Sequence, residues 1–396
     1  MRLPDFFHLG ALPIGIDVGA SGVRMLQLRR RGRGLEVIAA SRVELEPSDD
    51  RGRARAIAES VSRRVLAGGF VGRRCVLSID NRLVRVRSVR VPPMPDEDLA
   101  RAMRLDAPAR LGFPESEPAQ FAWIRAGSVR QSGDPREEVL VIGASSKPIE
   151  ELVFLLAEHG LRPEGVEASF VAAARATTRQ LRRASDQETV RVLVDVGHLT
   201  SGVTITRGQT VAFHKQLETG GHSMTLAASQ RLGLEPAVIA QMRRQRAARA
   251  ARGLSDGDPK VDRALFEAAR SLMGDLANEV SLCLRHFGVT FRGSRPEWCA
   301  LAGGEAHEPK LGQVIGECLR LPVCTASPLD HIRCAGASGV ASDWELEQSA
   351  WAVASGLSLR NLPRRGIATL RESPRADESP ERGGDIAPVE QRRAAA

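Results

Sequence analysis

The feature that most constrains the fold of this chain is a short near-repeat, found near the N-terminus and again near the middle. Residues 14–23 read IGIDVGASGV, and residues 193–203 read LVDVGHLTSGV. In each copy a β-branched run leads into Asp-Val-Gly, a turn with glycine and hydroxyl residues follows, and a second apolar strand begins. Two hairpins of one kind, far apart in the same chain, predict two α/β lobes related by duplication.

The spacing of apolar residues predicts the elements around the two hairpins. Helical spacing predicts helices over residues 54–66, 96–109, 149–159, 224–242 and 260–287. Apolar runs predict strands over residues 75–79, 83–91, 139–143 and 298–301, with a further strand near Phe121. The polar segment 127–137 is expected to be a loop. Strands that alternate with helices are typical of an α/β protein.

Changes in composition divide the chain into segments. We expect an N-terminal arm at 1–11, a first lobe at 12–91 and 167–189, an inserted α/β subdomain at 92–166, a second lobe at 190–362 and a tail at 363–396. The insertion opens on a proline-rich segment and interrupts the first lobe. The tail has no aromatic residue and is rich in Arg, Glu, Pro, Ser, Gly and Ala. Because it cannot bury enough apolar surface to offset the entropy of ordering, we predict that it is disordered.

Composition and charge limit the partners and the compartment. The net charge is +8, carried almost entirely by arginine throughout the chain. No groove-reading motif or interleaved aromatic patch accompanies this charge, so nucleic-acid binding is not expected. The six cysteines lack CxxC spacing and zinc-type clusters, which is typical of reduced thiols in a cytosolic protein. No run approaches the roughly 20 apolar residues that span a bilayer. We therefore expect a cytoplasmic protein that contacts the membrane only through a partner.

The Asp-x-Gly turns have a specific chemical use. Glycine lets the backbone approach closely, so that successive N–H groups converge on phosphate oxygens. The Asp cannot face phosphates without a cation and is expected to hold Mg²⁺ through water. Two facing hairpins would hold a triphosphate from both sides, with Asp17 and Asp195 as the Mg²⁺ residues. The alternative for either copy alone is an ordinary β-turn.

A third glycine turn supports the same cleft. The predicted strand 298–301 runs into Ala302-Gly303-Gly304, and a helix pattern over residues 311–319 follows. A double glycine lets a flat base or a ribose lie against the backbone, although such a pair is often only a turn. The candidate nucleotide-binding residues are Asp17, Gly19, Ser21, Gly22, Asp195, Gly197, Ser201, Gly220, Gly221, Gly303 and Gly304.

The order of these motifs over about residues 12–362 resembles the actin and sugar-kinase superfamily, and within it the PilM family of type IV pilus assembly. The segments similar to that family are GIDVG at 15–19, LGFP at 111–114, EHGLRP at 158–163, DVGH at 195–198, the pairs Gly220-Gly221 and Gly303-Gly304, and ASGLSLR at 354–360. The resemblance implies an actin-like ATPase (ASKHA) fold that binds ATP with Mg²⁺. It also implies a partner, the short cytoplasmic N-terminus of the membrane protein PilN.

Three residues depart from the family pattern. Leu199 follows the His of the second hairpin where the family has a small residue, and it would crowd the phosphates. Val238 and Gln241 replace a Glu and a Lys that the family carries on the nucleoside face. These replacements imply a weakened or degenerate site, so the alternative to an ATP-binding scaffold is a nucleotide-free scaffold of the same fold.

Evidence for catalysis in the sequence is slight. His198 would be positioned to activate a water, or simply to steady its hairpin by a local hydrogen bond, which is the favoured interpretation. A sugar kinase needs a base for the substrate hydroxyl, and none is evident. An FtsA-type division protein would end in an apolar-faced membrane helix, which the tail lacks. We expect at most a weak ATPase, with self-association left open.

The partner site is expected on the insertion 92–166, which has no part in phosphate chemistry. An exposed edge strand over residues 139–143 would pair with an extended peptide, while Phe113 and Phe121 would line apolar pockets. The alternative is that both rings fill the small subdomain's core. The basic stretch 242–252 is either a solvated helix face or a contact for anionic lipid. Through such a partner the protein would sit peripherally at the inner membrane.

Overall fold

The computed structural model describes residues 10–45, 50–254, 257–292, 295–339, 344–362 and 371–372. The strands are β1 (Ala11–Gly19), β2 (Gly22–Arg31), β3 (Gly34–Glu44), β4 (Arg74–Ser78), β5 (Val84–Val91), β6 (Ala119–Gln131), β7 (Asp134–Ser145), β8 (Arg162–Glu167), β9 (Val190–Val196), β10 (Ser201–Arg207), β11 (Thr210–Leu217), β12 (Cys299–Ala302), β13 (Val323–Thr325), β14 (Ile332–Arg333) and β15 (Arg371–Glu372). The α-helices are α1 (Asp50–Ala67), α2 (Asp96–Leu111), α3 (Ser146–Glu158), α4 (Ser169–Thr178), α5 (Gly221–Leu232), α6 (Pro236–Ala251), α7 (Pro259–Phe291), α8 (Leu311–Leu319) and α9 (Ala352–Ser358).

The two lobes are built on sheets of the same topology. The first sheet has the order β14-β3-β2-β1-β4-β8, and the second has the order β11-β10-β9-β12-β13. In both, an antiparallel meander of three strands is followed by two parallel strands. Each near-repeat forms the hairpin at the centre of its sheet, with Gly19 opposite Gly22 and Val196 opposite Ser201. The predicted duplication is confirmed.

The insertion forms a third sheet whose limits differ from the predicted ones. Its order is β15-β6-β7-β5, and β5 pairs with β7 along its whole length. Strand β5 therefore lies with the insertion, whereas α3 packs on α1 and β8 pairs with β4 in the first sheet. By strand pairing the inserted unit spans residues 84–145 and not 92–166, because sequence periodicity does not show which strand pairs with which.

The hairpin of the insertion corrects two further expectations. The polar segment 127–137 is not a loop, since β6 and β7 continue through it to a tight turn at Ser132-Gly133, where both φ angles are positive. Arg125 pairs with Glu137 across the two strands, which explains how charged residues are accommodated there. Strand β7, with residues 139–143, is paired on both sides and is not an edge strand.

The sheet of the insertion packs on both faces. One face packs on α2 and on Phe113, which is buried and meets Phe121 edge to face with 5.6 Å between ring centroids. The expected Phe113 pocket is therefore wrong, because this ring fills the small core. The other face, with Ile124, Leu140 and Ile142, joins the core formed by β11 and α7 of the second lobe.

The helical segment after the second hairpin is broken, contrary to the single helix predicted over residues 224–242. Helix α5 ends at Gly233, whose φ of 66° is the left-handed conformation of a helix C-cap. Helix α6 then begins with Pro236 at its first turn, where the missing N–H has no cost. The apolar periodicity runs through this junction, which is why the sequence does not show it.

The C-terminal part of the predicted second lobe returns to the first. Helices α4 and α9 pack against each other between the two sheets, and α9 also contacts β1 and β2. The Ser358 hydroxyl donates to the Pro13 carbonyl at 2.8 Å and accepts from the Leu28 amide at 3.1 Å. The first lobe's core is thus completed by Leu329, Ile332, Trp344, Trp351, Ala354 and Leu359.

The predicted disordered tail, 363–396, lies outside the described residues except for Arg371–Glu372. These two form β15, whose backbone pairs with Ala122 and Trp123 of β6. Among the helices of the described segments, none is long and apolar enough to cross a membrane.

Candidate functional site

The two Asp-x-Gly turns bring their carboxylates together between the lobes. Asp17 lies near the end of β1 and accepts a 2.9 Å hydrogen bond from the Ser78 hydroxyl, which in turn accepts from the Val18 amide at 3.1 Å. Asp195 lies on β9, in register with Ala302 of β12. The charge of Asp17 acts on Asp195, so the two carboxylates lie near each other. The expected juxtaposition across the cleft is therefore present.

Arg24 supplies positive charge at this point, and sequence reasoning did not include it among the site residues. The hairpin register places Arg24 directly opposite Asp17, on the same face of the sheet. Its guanidinium also interacts with Asp195 and Glu347 and reaches the second lobe, where a Cβ on Gly304 would lie 2.7 Å from Nη2. Arg24 follows the two-residue turn at the same distance at which Asp17 precedes it, so the hairpin register predicts this pair from the sequence.

The electrostatics of the cleft favour a bound cation. Burial raises the pKa of Asp17, with Asp80 adding to the effect and Arg24 opposing it. Burial and the charge of Asp17 raise the pKa of Asp195 to about 6, again against Arg24. A divalent cation between the two carboxylates would relieve the repulsion that Asp17 exerts on Asp195. Asp17 and Asp195 therefore fit the Mg²⁺ role expected of them.

Close backbone and side-chain contacts require glycine at positions 303 and 197. Gly303 has a φ of 92°, and a Cβ there would lie 2.4 Å from the Asp195 carboxylate, so only glycine lets this turn approach. A Cβ on Gly197 would lie 2.7 Å from the Thr200 carbonyl inside the second hairpin turn. Gly304 is exposed at the cleft.

Some residues that were predicted to contact the nucleotide make contacts inside the protein. The Ser201 hydroxyl is buried and donates to the Thr219 carbonyl at 2.6 Å, so it is not available to a phosphate. Gly22 packs against the Val43 carbonyl of β3. In the first turn Ser21 is exposed, and the Gly19 carbonyl accepts from Arg53 of α1.

The N-terminus of α5 is occupied by the second hairpin. The Gly221 and His222 amides donate to the Gly197 and His198 carbonyls at 3.0 and 2.7 Å. A Cβ on Gly220 would lie 2.5 Å from the His198 carbonyl, so this glycine serves the contact between helix and turn. Of the two glycines predicted here, Gly221 uses its amide inside the protein.

A buried ionic cluster underlies the same region. Arg243 of α6 donates to the Gly221 carbonyl at 2.6 Å, to Glu305 at 2.8 Å and to Glu308 at 2.7 Å. Arg246 is also buried and forms ion pairs with Glu308 and Asp262. The basic stretch 242–252 is therefore not a uniformly solvated face, because these two arginines turn inward.

The three departures from the family pattern lie on α6 and in the second hairpin turn. Val238 and Gln241 are exposed on α6, where they offer no buried polar contact. Leu199 is half-buried in the hairpin turn, beside His198, whose pKa burial lowers. His198 lies 5.2 Å from His222 between ring centroids. It is expected to be neutral near pH 7.

A family model described as "Type IV pilus assembly protein PilM" matches residues 15–362. The chain belongs to the PilM family. A protein solved as the "PilM-PilN type IV pilus biogenesis complex" is similar in structure, with 19% identity, a TM-score of 0.72, and 89% of this chain and 99% of that one covered. The ethanolamine utilization protein EutJ from Carboxydothermus hydrogenoformans is also similar, at 12% identity and a TM-score of 0.51, with 91% of each chain covered. The fold is the actin-like ATPase fold.

Proposed function

We propose that this actin-like protein of type IV pilus assembly is an ATP-binding scaffold that docks the cytoplasmic N-terminal peptide of a PilN-type inner-membrane protein. The observation that carries the proposal is the similarity over nearly the whole length of a PilM protein solved in complex with PilN. Such docking would hold the protein in the cytoplasm at the inner membrane. Self-association is compatible with this role.

The docking surface that we propose is the edge strand of the insertion. Within the part of the chain that the structure describes, β5 pairs with β7 alone, and the other side of β5 is an edge. Its residues Arg85, Arg87, Ser88 and Arg90 are exposed. An unpaired edge can add an extended peptide as a further strand, with main-chain hydrogen bonds giving affinity. This edge replaces the one expected at residues 139–143.

Adjacent proline substitutions test this surface. In a strand, successive amides point to opposite sides, so one of Arg87 and Ser88 directs its N–H away from β7. We expect Arg87→Pro or Ser88→Pro, whichever removes the outward N–H, to weaken binding of a labelled PilN-type N-terminal peptide at least about tenfold at unchanged thermal stability. Fluorescence anisotropy measures the affinity. If Arg87→Pro and Ser88→Pro are both stable and both bind the peptide with full affinity, this edge is not the docking surface. If the intact chain binds no peptide, the docking proposal itself is wrong.

The nucleotide part of the proposal is supported by the charges around Arg24. We propose that Asp17 and Asp195 hold Mg²⁺ through water, and that Gly19, Ser21, Gly197, Gly303 and Gly304 face the phosphates. Arg24 is expected to pair with a phosphate oxygen. The remaining predicted residues, Gly22, Ser201, Gly220 and Gly221, support the turns. No described side chain is an evident general base for a second substrate, so turnover is expected to be slow at most.

Arg24 provides the test of this nucleotide site. Loss of a charge-assisted contact to phosphate costs about 1.5–3 kcal/mol, so Arg24→Ala is expected to weaken Mg·ATP binding roughly tenfold to a hundredfold. Isothermal titration calorimetry measures this, with Arg30→Ala, an exposed change on the same strand, as the control. Equal affinities for Arg24→Ala and the intact chain would contradict the site. Absence of Mg·ATP binding at millimolar concentration would favour the nucleotide-free scaffold.

A further inference from the structure

The end of the first sheet opposite its glycine turn carries a concentration of arginines. Strands β2 and β3 meet there at a tight turn, where Arg31 pairs with Gly34 and Gly32 has a φ of 59°. The acidic residues on the segments 29–36 and 330–333 are Glu36 and Asp330. The arginines on these two segments, which we call the arginine end of the first sheet, are Arg29, Arg30, Arg31, Arg33 and Arg333.

Glu36 fixes part of this cluster in place. Its register partners are Arg29 on β2 and Arg333 on β14, so these three residues lie on one face of the sheet. The Arg29 Nε donates to Glu36 Oε1 at 2.7 Å, and the Arg31 Nη1 donates to Glu36 Oε2 at 3.0 Å. Only 8% of the Glu36 side chain is exposed, whereas 63% of the Arg31 side chain is exposed. One buried carboxylate therefore orders these arginines but cannot neutralise the whole cluster.

The other arginines of this end have no internal use for their charge. Arg30, Arg33 and Arg333 are exposed, and none of them forms an ion pair with a residue in the described part of the chain. The basic stretch 242–252 differs in this respect, because Arg243 and Arg246 are buried there in ion pairs. Like charges that are gathered without partners repel one another, and an anionic surface beside them relieves that repulsion.

The arginine end is well separated from the nucleotide cleft. Strand β2 runs for ten residues, from Gly22 beside the glycine turn to Arg31 at the opposite end. At 3.3 Å per residue this is a distance of about 30 Å. A partner as extended as a membrane surface can therefore contact the arginine end without closing the cleft.

Apolar residues of the sequence enter the fold at the same place. The Arg30 amide donates to the Gly10 carbonyl at 2.8 Å, so residues 1–9 are joined to the protein directly beside the arginines. The sequence of this N-terminal arm includes Leu3, Phe6, Phe7 and Leu9. Basic side chains together with large apolar ones are the combination that binds the interface of an anionic bilayer. This combination favours a bilayer over other anionic partners.

We propose that the arginine end of the first sheet binds the headgroups of an anionic bilayer and gives the protein a membrane contact of its own, in addition to the docked partner peptide. The contact goes beyond the proposed function and needs neither the peptide nor a nucleotide. An arginine near an anionic surface raises the partition coefficient roughly fivefold. The attraction is screened by salt, so binding weakens as the ionic strength rises.

Co-sedimentation of the purified full chain with lipid vesicles tests this contact. We expect binding to vesicles of equal parts phosphatidylcholine and phosphatidylglycerol, and little binding to vesicles of phosphatidylcholine alone. The double variant Arg30→Ala/Arg33→Ala removes two arginines that lack ion pairs and is expected to lower the partition coefficient roughly twentyfold. The matched control is Arg263→Ala/Arg285→Ala, with two exposed changes on α7 of the second lobe, and it is expected to bind as the intact chain does. Thermal unfolding checks that both double variants fold.

The outcomes separate this contact from the proposed function, because the assay contains neither peptide nor nucleotide. Equal binding to the two kinds of vesicle, or no binding to either, would overturn the proposal and leave peptide docking and the nucleotide site unaffected. Full vesicle affinity in folded Arg30→Ala/Arg33→Ala would overturn it as well. Labelled polyglutamate and a labelled DNA duplex are the competing anions. If the intact chain binds either of them as tightly as it binds the mixed vesicles, the arginine end recognises an acidic protein or a nucleic acid and the bilayer proposal is wrong.

Discussion

At the residue scale, buried carboxylates and an arginine meet in the cleft. Asp80 adds to the rise in the pKa of Asp17, Asp17 adds to that of Asp195, and Arg24 opposes the rise at both hairpin carboxylates. The cross-strand register fixes this arrangement, because Asp17 and Arg24 are paired across a two-residue turn. A carboxyl in such a place is costly to ionise, and that cost makes the stability of the protein depend on pH.

Asp195 gives a prediction with a defined sign. Its pKa of about 6 in the folded protein lies above its ordinary value of 3.8, so the folded state binds this proton more tightly than the unfolded state does. The stabilisation by protonation is complete below about pH 4 and is lost as pH rises through 6. Asp195→Asn should therefore raise the free energy of unfolding by about 1–2 kcal/mol near pH 7, a value reduced for the partial exposure of the carboxyl.

Urea unfolding at about pH 4.5 and at about pH 7 measures this difference. The gain from Asp195→Asn is expected to shrink at the lower pH, where the carboxyl of the intact chain is already protonated. Asp186→Asn, on the short 3-10 helix Ala184–Glu188, serves as the control for loss of an acidic residue. A stabilisation of Asp195→Asn that is equal at both pH values would rule out this explanation.

Sequence and structure agree on this site only where the pattern is local. The hairpin turns predicted Asp17 and Asp195 because an Asp-x-Gly turn is a continuous segment. The internal contacts of Ser201 and Gly220, to the Thr219 carbonyl and beside the His198 carbonyl, were not predicted because they depend on where the chain returns. The Glu305–Arg243 pair joins residues far apart in sequence, so no local sequence pattern predicts it.

At the element scale, strand type was predictable and strand pairing was not. Alternating or continuous apolar runs indicated β5 and β7, and both are strands. Which sheet each joins depends on long-range packing, so β5 was attributed to the wrong unit and β7 was taken for an edge. Helix α9 shows the same limit, since its residues belong in space to the first lobe.

Glycines at the contacts of α9 give a prediction for element packing. A Cβ on Gly356 would lie 1.8 Å from the Ala172 carbonyl of α4, and one on Gly15 would lie 2.0 Å from the Ala354 carbonyl. Either Ala substitution forces the elements apart and should lower the free energy of unfolding by about 2–4 kcal/mol. Chemical denaturation measures the loss.

Gly274 of α7 is the matched control, because a Cβ there meets nothing within 4 Å. Gly274→Ala removes a flexible residue from a helix interior and should raise stability by about 0.5–1 kcal/mol. If Gly356→Ala and Gly274→Ala changed stability in the same direction, close packing of α9 would not explain these glycines.

At the scale of the whole molecule, the insertion is part of the body of the protein. Its sheet packs α2 on one face and the second lobe on the other, although the insertion interrupts the first lobe in sequence. Deleting residues 92–166 would also remove α3 and β8 from the first lobe. Loss of membrane recruitment in such a deletion would therefore not locate the partner site, and single substitutions are needed.

Leu140 and Val141 are neighbours on β7 that face opposite sides of this sheet, and they test the connection. Leu140 packs into the core of the second lobe, whereas Val141 packs on α2. Leu140→Ala should lower stability by about 2–4 kcal/mol, with hydrogen-exchange protection lost in β11 and α7 as well as in the insertion. Val141→Ala should cost less and reduce protection in α2 and the insertion sheet alone. An identical exchange pattern for the two variants would show that the insertion and the second lobe unfold as one unit, without the sidedness that the packing predicts.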